Sequence, residues 1–128
     1  MGGEAAAEPV GSVQMALAHA ARLLQKDPRL AAEQANEILR AAPGDPRARL
    51  ILGAAQRLNG QLAGALEILE PLAREQPRAA PVHLELGTAL AEADRGAEAL
   101  AALHHAVELQ PDAPEGWRLL ADQLEVCG

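Results

Sequence analysis

Apolar positions recur along this chain at intervals of three and four, interrupted by short polar breaks. Over residues 80–93 the apolar positions are Leu84, Leu86, Leu90 and small residues; Asp94-Arg95-Gly96 breaks the run; Leu100, Leu103, Val107 and the alanines between them make a second stripe. Such spacing gives an α-helix one apolar face, whereas a half-buried strand would need alternation. Gln110-Pro111-Asp112 closes the second stripe, because proline cannot continue the backbone ladder and restricts the residue before it. Pro114 opens the next run, in a favoured first-turn position. The same reading predicts helices over 12–25, 29–41, 46–58, 62–76, 80–93, 96–109 and 114–127, with Asp27-Pro28 turning the first pair. Residues 1–11 show no face to bury and are expected to form a flexible, frayed tail.

A longer period of 34 positions overlies this pattern. Pro43, Pro77 and Pro111 share it, as do Leu52, Leu86 and Leu120, and Ala31, Ala65 and Ala99. Gly53 and Gly87 are followed at the same interval by Ala121, and Leu69 and Leu103 are preceded by Ala35. Several columns in one ungapped register signal a solenoid, a stack of units none of which can bury its apolar face alone. Glycine within a helix costs about 1 kcal/mol against alanine, so Gly53 and Gly87 need compensation from close helix approach. Ala65 and Ala99 are expected opposite these glycines, with Leu52, Leu69, Leu86 and Leu103 on either side. Ala106 is expected to do the same between units, where Leu72 and Ile38 occupy the matching places with more bulk. Pro71 falls inside the helix 62–76 and removes the bond to the Glu67 carbonyl. Three outcomes are open there: an outer-face kink that adjusts curvature, a carbonyl offered to a partner, or a helix that ends early.

Composition narrows the fold class. The 128 residues include 30 alanines and 21 leucines, with no Phe or Tyr and Trp117 as the only aromatic. Strands favour β-branched and aromatic side chains, so sheet architectures are nearly excluded and the chain reads as helical. The formal charge of −7, from 18 acidic and 11 basic residues, argues against nucleic acid, which needs cations to displace phosphate counterions. One cysteine, Cys127, cannot form an internal disulfide and suits a reducing compartment. No uncharged stretch reaches the roughly 18–20 residues of a membrane span, and no leader pattern begins the chain. A cytoplasmic protein without membrane contact is expected.

The strings Trp117-x2-Leu120-Ala121-x2-Leu124, Leu86-Gly87-x2-Leu90, Ala65-x3-Leu69 and Ala99-x3-Leu103, the last two each followed by a proline, resemble the tetratricopeptide repeat, whose pattern is W-x2-L-G-x2-Y, then A-x3-F, then P. The resemblance covers residues 12–128. It departs from the pattern in its leucines where aromatics stand and in His19 where a small residue belongs. It implies an all-α solenoid of antiparallel helix pairs in a right-handed superhelix: a degenerate repeat over 12–45, repeats over 46–79 and 80–113, and over 114–128 the first helix of a fourth repeat or a capping helix. A narrower resemblance links Leu30-Ala31-x2-Gln34-Ala35-x-Glu37-Ile38-Leu39-x3-Pro43-Gly44, Ala63-x-Ala65-Leu66-x2-Leu69-Glu70-Pro71-Leu72-Ala73 and Pro111-Asp112-x3-Gly116-Trp117-Arg118-Leu119-Leu120-Ala121-Asp122 to repeat regions fused to bacterial sulfotransferase domains. Nothing in the chain resembles the sulfotransferase phosphosulfate-binding loop.

Candidate chemistry is sparse. His104 and His105 are adjacent, so they point about 100° apart on a helix and cannot chelate one ion as an i, i+4 pair could. Both are expected on the solvated outer face. His83, opening a helix, is expected to pack on the preceding unit, and His19 to be a partly buried filler with a hydrogen-bond partner. Cys127 sits at a helix C-terminus near Glu125, where a thiol is not activated. No catalytic residues, metal site or cofactor are expected. Family geometry puts the first helix of each unit on the concave face. Its inner stripe would comprise Val13, Leu17, Ala20 and Leu24, then Arg47, Leu50, Ile51, Ala54 and Arg57, then Leu84, Glu85, Thr88 and Glu92, then Arg118, Leu119, Asp122 and Glu125. The candidate partner-binding groove is thus Arg47, Leu50, Ile51, Ala54, Arg57, Leu84, Glu85, Thr88, Glu92, Arg118, Leu119 and Asp122. Arg47 and Arg57 would give one unit a positive edge, and Glu85, Glu92 and Asp122 a negative one to the others. The Lys, Asn and Arg set with which some repeat proteins grip a peptide carboxylate is not reproduced. The expected role is a non-catalytic protein–protein interaction module that binds a peptide or helix in this groove. The alternatives are an accessory repeat region of a larger enzyme, such as a sulfotransferase, or a fragment that self-associates. On the last, Trp117, Leu120 and Leu124 would leave an apolar strip open on the terminal helix, a candidate homodimer contact.

Overall fold

The structure, a computed structural model, describes the backbone of residues 2–127 and the side chains of residues 12–127. The described residues form seven helices and no strand: α1 (Gly2–Lys26), α2 (Pro28–Ala41), α3 (Pro46–Leu58), α4 (Leu62–Glu75), α5 (Ala80–Glu92), α6 (Gly96–Leu109) and α7 (Pro114–Cys127). Six of the seven lie within a residue or so of their expected bounds. The exception is α1, which starts well before the stripe at Val13. Segment 2–11, expected as a frayed tail, has helical backbone.

Local chemistry sets the helix ends. Asp27 caps α2 by accepting from the Leu30 amide at 3.1 Å, and Asp45 caps α3 by accepting from Arg47 and Ala48 at 2.9 and 3.2 Å. Pro28 and Pro46 follow these caps, where a missing N–H costs nothing. At the other end, α3 and α5 close alike. Gly60 (φ 82°) and Asp94 (φ 64°), one repeat apart, take the left-handed conformation. The next amide then bonds back five positions: Gln61 to the Gln56 carbonyl at 2.8 Å and Arg95 to Leu90 at 2.9 Å. The matching residue of the first unit is Lys26, still helical, so only Asp27 separates α1 from α2. His19, aligned with Gly53 and Gly87 and expected to be partly buried, is exposed, whereas Leu17 and Ala20 are buried like their counterparts Ile51 and Ala54.

Packing explains the glycine columns. Leu69, Leu72 and Leu103 are the largest side chains with essentially no exposure. A Cβ on Gly53 would lie 2.7 Å from Leu69 Cδ2, and one on Gly87 would lie 2.7 Å from Leu103 Cδ2 and Cγ. The glycines therefore face leucine, not the alanines expected opposite them; Ala65 and Ala99 are fully buried beside the contact. Ala106 is buried next to Gly116, whose added Cβ would meet Val107 at 3.0 Å. Pro71 neither ends nor unseats α4: the helix continues to Glu75, and Leu72 and Ala73 directly after it are buried.

Each helix packs on its chain neighbours, and α1, α3, α5 and α7 also contact one another in succession. Among the described residues α2, α4 and α6 make no such contacts with each other. The odd-numbered helices thus lie on the shorter, inner arc of the stack and the even-numbered ones on its outer arc.

Replacing Gly87 with alanine should destabilise the chain by about 1–2 kcal/mol, overpacking against Leu103 outweighing the ~1 kcal/mol of helix propensity gained. Gly64→Ala should be neutral or stabilising, because its Cβ meets only the flexible end of Gln56. Urea unfolding of both variants checks this, and a stabilised Gly87→Ala protein would mean that the seam is loose.

Candidate functional site

The inner arc is built from α3, α5 and α7, whose side chains are spaced by the stacking of the units. Ile51 and Ala54, expected to line the groove, are buried in the core, so their apolar surface is not offered there. Leu50, Leu84 and Leu119 are half-buried and keep part of their surface open. Thr88 uses its hydroxyl within α5, donating to the Leu84 carbonyl at 2.9 Å. At the first unit Leu17 and Ala20 are buried, while Val13 and Leu24 are half-buried.

The charges are arranged differently from the expected positive and negative edges. Arg57 on α3 reaches across to α5, where its Nε donates to Glu85 and its Nη1 to Glu92 Oε2 at 3.0 Å. The Arg57 and Glu85 side chains are only 16% and 18% exposed. Burial by itself would lower the Arg57 pKa; the bonds and charges of Glu85 and Glu92 more than offset it and hold the guanidinium firmly charged. Arg57, Glu85 and Glu92 thus form one ion cluster that ties the second unit to the third. Arg47 pairs loosely with Asp45 at 3.7 Å, and Arg118 with Asp122 at 3.8 Å, all within one helix and its cap. Exposed pairs of this kind contribute about 0–1 kcal/mol, so Arg47, Arg118 and Asp122 remain free to meet a ligand. Glu125 is exposed beside them.

On the outer arc lies a cleft of about 470 Å³ between α4 and α6, floored by His83, Leu86 and Leu90 of α5. His83 is buried against the preceding unit as expected, its Nε2 donating to the Gln76 carbonyl at 3.2 Å. His105, expected to be solvated, is half-buried: its Nε2 donates to the Pro77 carbonyl at 2.8 Å, and its ring meets His83 edge to face at a centroid distance of 4.4 Å. His104 is exposed, 3.5 Å from Glu108. Glu70, Arg74 and Glu98 are the charged groups that share the cleft, and Arg95 bonds both Glu70 and Glu98. The two histidines thus clamp successive carbonyls of the α4–α5 connection. Nothing in the sequence pairs them, since their separation along the chain is no multiple of the repeat. At the C-terminus Gln123 is buried and donates to the exposed Cys127 Sγ at 3.2 Å. Among the described residues no cluster of three or more His, Cys, Asp or Glu could hold a metal ion, and no helix is long and apolar enough to cross a membrane.

Paired helices, a strict sequence repeat and an inner arc of first helices define a tetratricopeptide-type α-solenoid. A tetratricopeptide repeat family model matches residues 56–122, more than half of the chain. The chain belongs to the tetratricopeptide repeat family. No curated protein matches it in sequence. Among solved structures it is similar to an O-GlcNAc transferase mutant of Thermobaculum terrenum, with 24% identity and a TM-score of 0.85, covering 91% of this chain and 23% of that one. It is also similar to the Sgt2 repeat domain of Aspergillus fumigatus, with 18% identity, a TM-score of 0.81 and coverage of 91% and 79%. A MamA fragment of Desulfovibrio magneticus matches with 21% identity, a TM-score of 0.74 and coverage of 87% and 63%. At these identities the likeness concerns the fold.

The histidine clamp makes stability pH-dependent. Burial, helped by the nearby His105, holds the His83 imidazole below its ordinary value of 6.5. The unfolded chain therefore takes up the proton first, and stability is full above that value and declines as the pH drops through it. Thermal unfolding should show a lower Tm at pH 5.5 than at pH 7.5, and His83→Leu should flatten much of the difference. An unchanged pH dependence in that variant would remove the clamp as its source.

Proposed function

We propose that this chain is a protein-interaction module that holds a peptide or amphipathic helix of another protein along its inner arc. The observation that carries this reading is the row of half-open leucines, Leu50, Leu84 and Leu119, on three successive inner helices, bordered by Arg47, Arg118 and Asp122, whose charges are only loosely paired. Apolar contact would supply the affinity and the bordering charges the orientation of the bound segment. Arg57, Glu85 and Glu92 act as scaffold in this account: their mutual bonds fix the spacing of α3 and α5 under the ligand. Binding of this kind needs no catalytic group, and the module is proposed to be non-catalytic. The O-GlcNAc transferase chain, of which this one covers 23%, shares the fold and gives no separate support to an accessory role in a larger enzyme.

Selection of binders from a displayed library of helical peptides tests the groove directly, whatever the natural partner. Peptides recovered on the wild-type chain should lose about tenfold or more in affinity on Leu50→Glu or Leu84→Glu, each a charge placed in an apolar contact. They should lose several-fold on Arg47→Glu and keep their affinity on His104→Ala, which lies on the outer arc. Binders indifferent to the first three substitutions would take the groove out of the account.

A further inference from the structure

Among the described residues, α7 is covered on only one of its two apolar sides. Gly116, Leu120 and Gln123 are buried, so Leu120 does not belong to the open strip expected from the sequence. Trp117 and Leu124 are 50% and 53% exposed, and Ala121 between them is exposed too. Positions 117, 121 and 124 lie on one stripe of a helix. Their counterparts one repeat earlier, His83, Gly87 and Leu90, are all buried, and Gly87 lies directly under Leu103 of α6. The strip on α7 is therefore the continuation of a seam that is closed in the preceding unit, where a single antiparallel helix closes it. Its far border is charged: Arg118 and Glu125, roughly 80–100° further round α7 than Trp117, are exposed, where α5 has Leu84 and Ala91 half-buried. The open strip is thus one helix wide. Trp117 is held in place on it, its indole N–H donating to the Pro111 carbonyl at 2.8 Å.

We propose that a second copy of this chain covers the strip, α7 packing antiparallel on α7 about a two-fold axis that passes near Ala121. The direction is that of the covering helix in the closed units. Ala121, the smallest residue of the strip, falls at the crossing, where its counterpart Gly87 permits close approach. The rotation keeps the charged border of both copies on one side and reverses the helix direction. Arg118 thereby comes level with the partner's Glu125, and the reciprocal pair forms by symmetry. One helix face buries less than a permanent dimer does, so the association is weak and concentration-dependent. It leaves the leucines of the inner arc open, sharing with the groove only Arg118 at its border, and does not rest on the groove reading.

Sedimentation velocity of the full chain over a dilution series, read beside Trp117 emission, tests the proposal. Trp117 is the sole aromatic, so its emission reports on this strip alone. Both signals should move together on dilution, sedimentation toward the monomer and emission toward the red. Leu124→Asp, Arg118→Glu and Glu125→Arg should each weaken association by about tenfold or more with unchanged helical circular dichroism, and Arg118→Glu combined with Glu125→Arg should restore most of it. A chain that sediments as a monomer at every concentration would overturn the proposal, as would association insensitive to Leu124→Asp. So would a monomer whose Trp117 emission shifts blue on addition of a synthetic peptide of residues 95–110, because the strip would then take a foreign helix.

Discussion

Two leucines pressed onto two glycines set the geometry of this molecule. Leu69 against Gly53 and Leu103 against Gly87 bring paired helices closer than any Cβ would allow. Those leucines are inaccessible to water, and truncating either would cost about 2–5 kcal/mol in a fold whose total stability is of order 10 kcal/mol. Because the contact is made in the same register in the second and third units, these two pairs share one geometry, which sets the separation of α3 and α5. The inner arc is a consequence of this close approach within each pair.

The electrostatics follow from the same spacing. With α3 and α5 held side by side, Arg57 reaches Glu85 and Glu92, and a charge pattern that looks bipolar along the chain becomes an internal brace. Arg95 braces the outer arc in a similar way through Glu70 and Glu98. What remains for a ligand is a narrow set of half-open leucines and loosely held charges on the inner face. The second open surface lies on α7, where among the described residues nothing packs on Trp117 and Leu124 as α6 packs on the matching positions of α5.

The repeat and the helix bounds were legible in the sequence because they depend on periodicity, prolines and capping residues, which act locally. Pro43, Pro77 and Pro111 mark the unit ends, and Gly53 and Gly87 mark the close approach by their register alone. The exposure of His19 was not legible, because its register with Gly53 and Gly87 places it in a column that is buried in the later units. The burial of Ile51 and Ala54 was missed for a related reason: a helix between two neighbours has a wider buried arc than one apolar stripe suggests. Arg57 finds Glu85 and Glu92, and His83 finds His105, on other helices at separations that differ from the repeat. Side-chain reach across a helix interface leaves no periodic trace.

If the leucine–glycine contacts within the second and third units carry the stability, protection must be greatest in those units, which also have neighbours on both sides. Native-state hydrogen exchange of the full chain measures this residue by residue. Amides of α4, α5 and α6 should exchange only through the largest opening, with those of α1 and α7 opening at progressively lower free energy. Equal protection from α1 to α7, or a maximum at either end, would contradict the claim that stacked leucine–glycine contacts hold the molecule together.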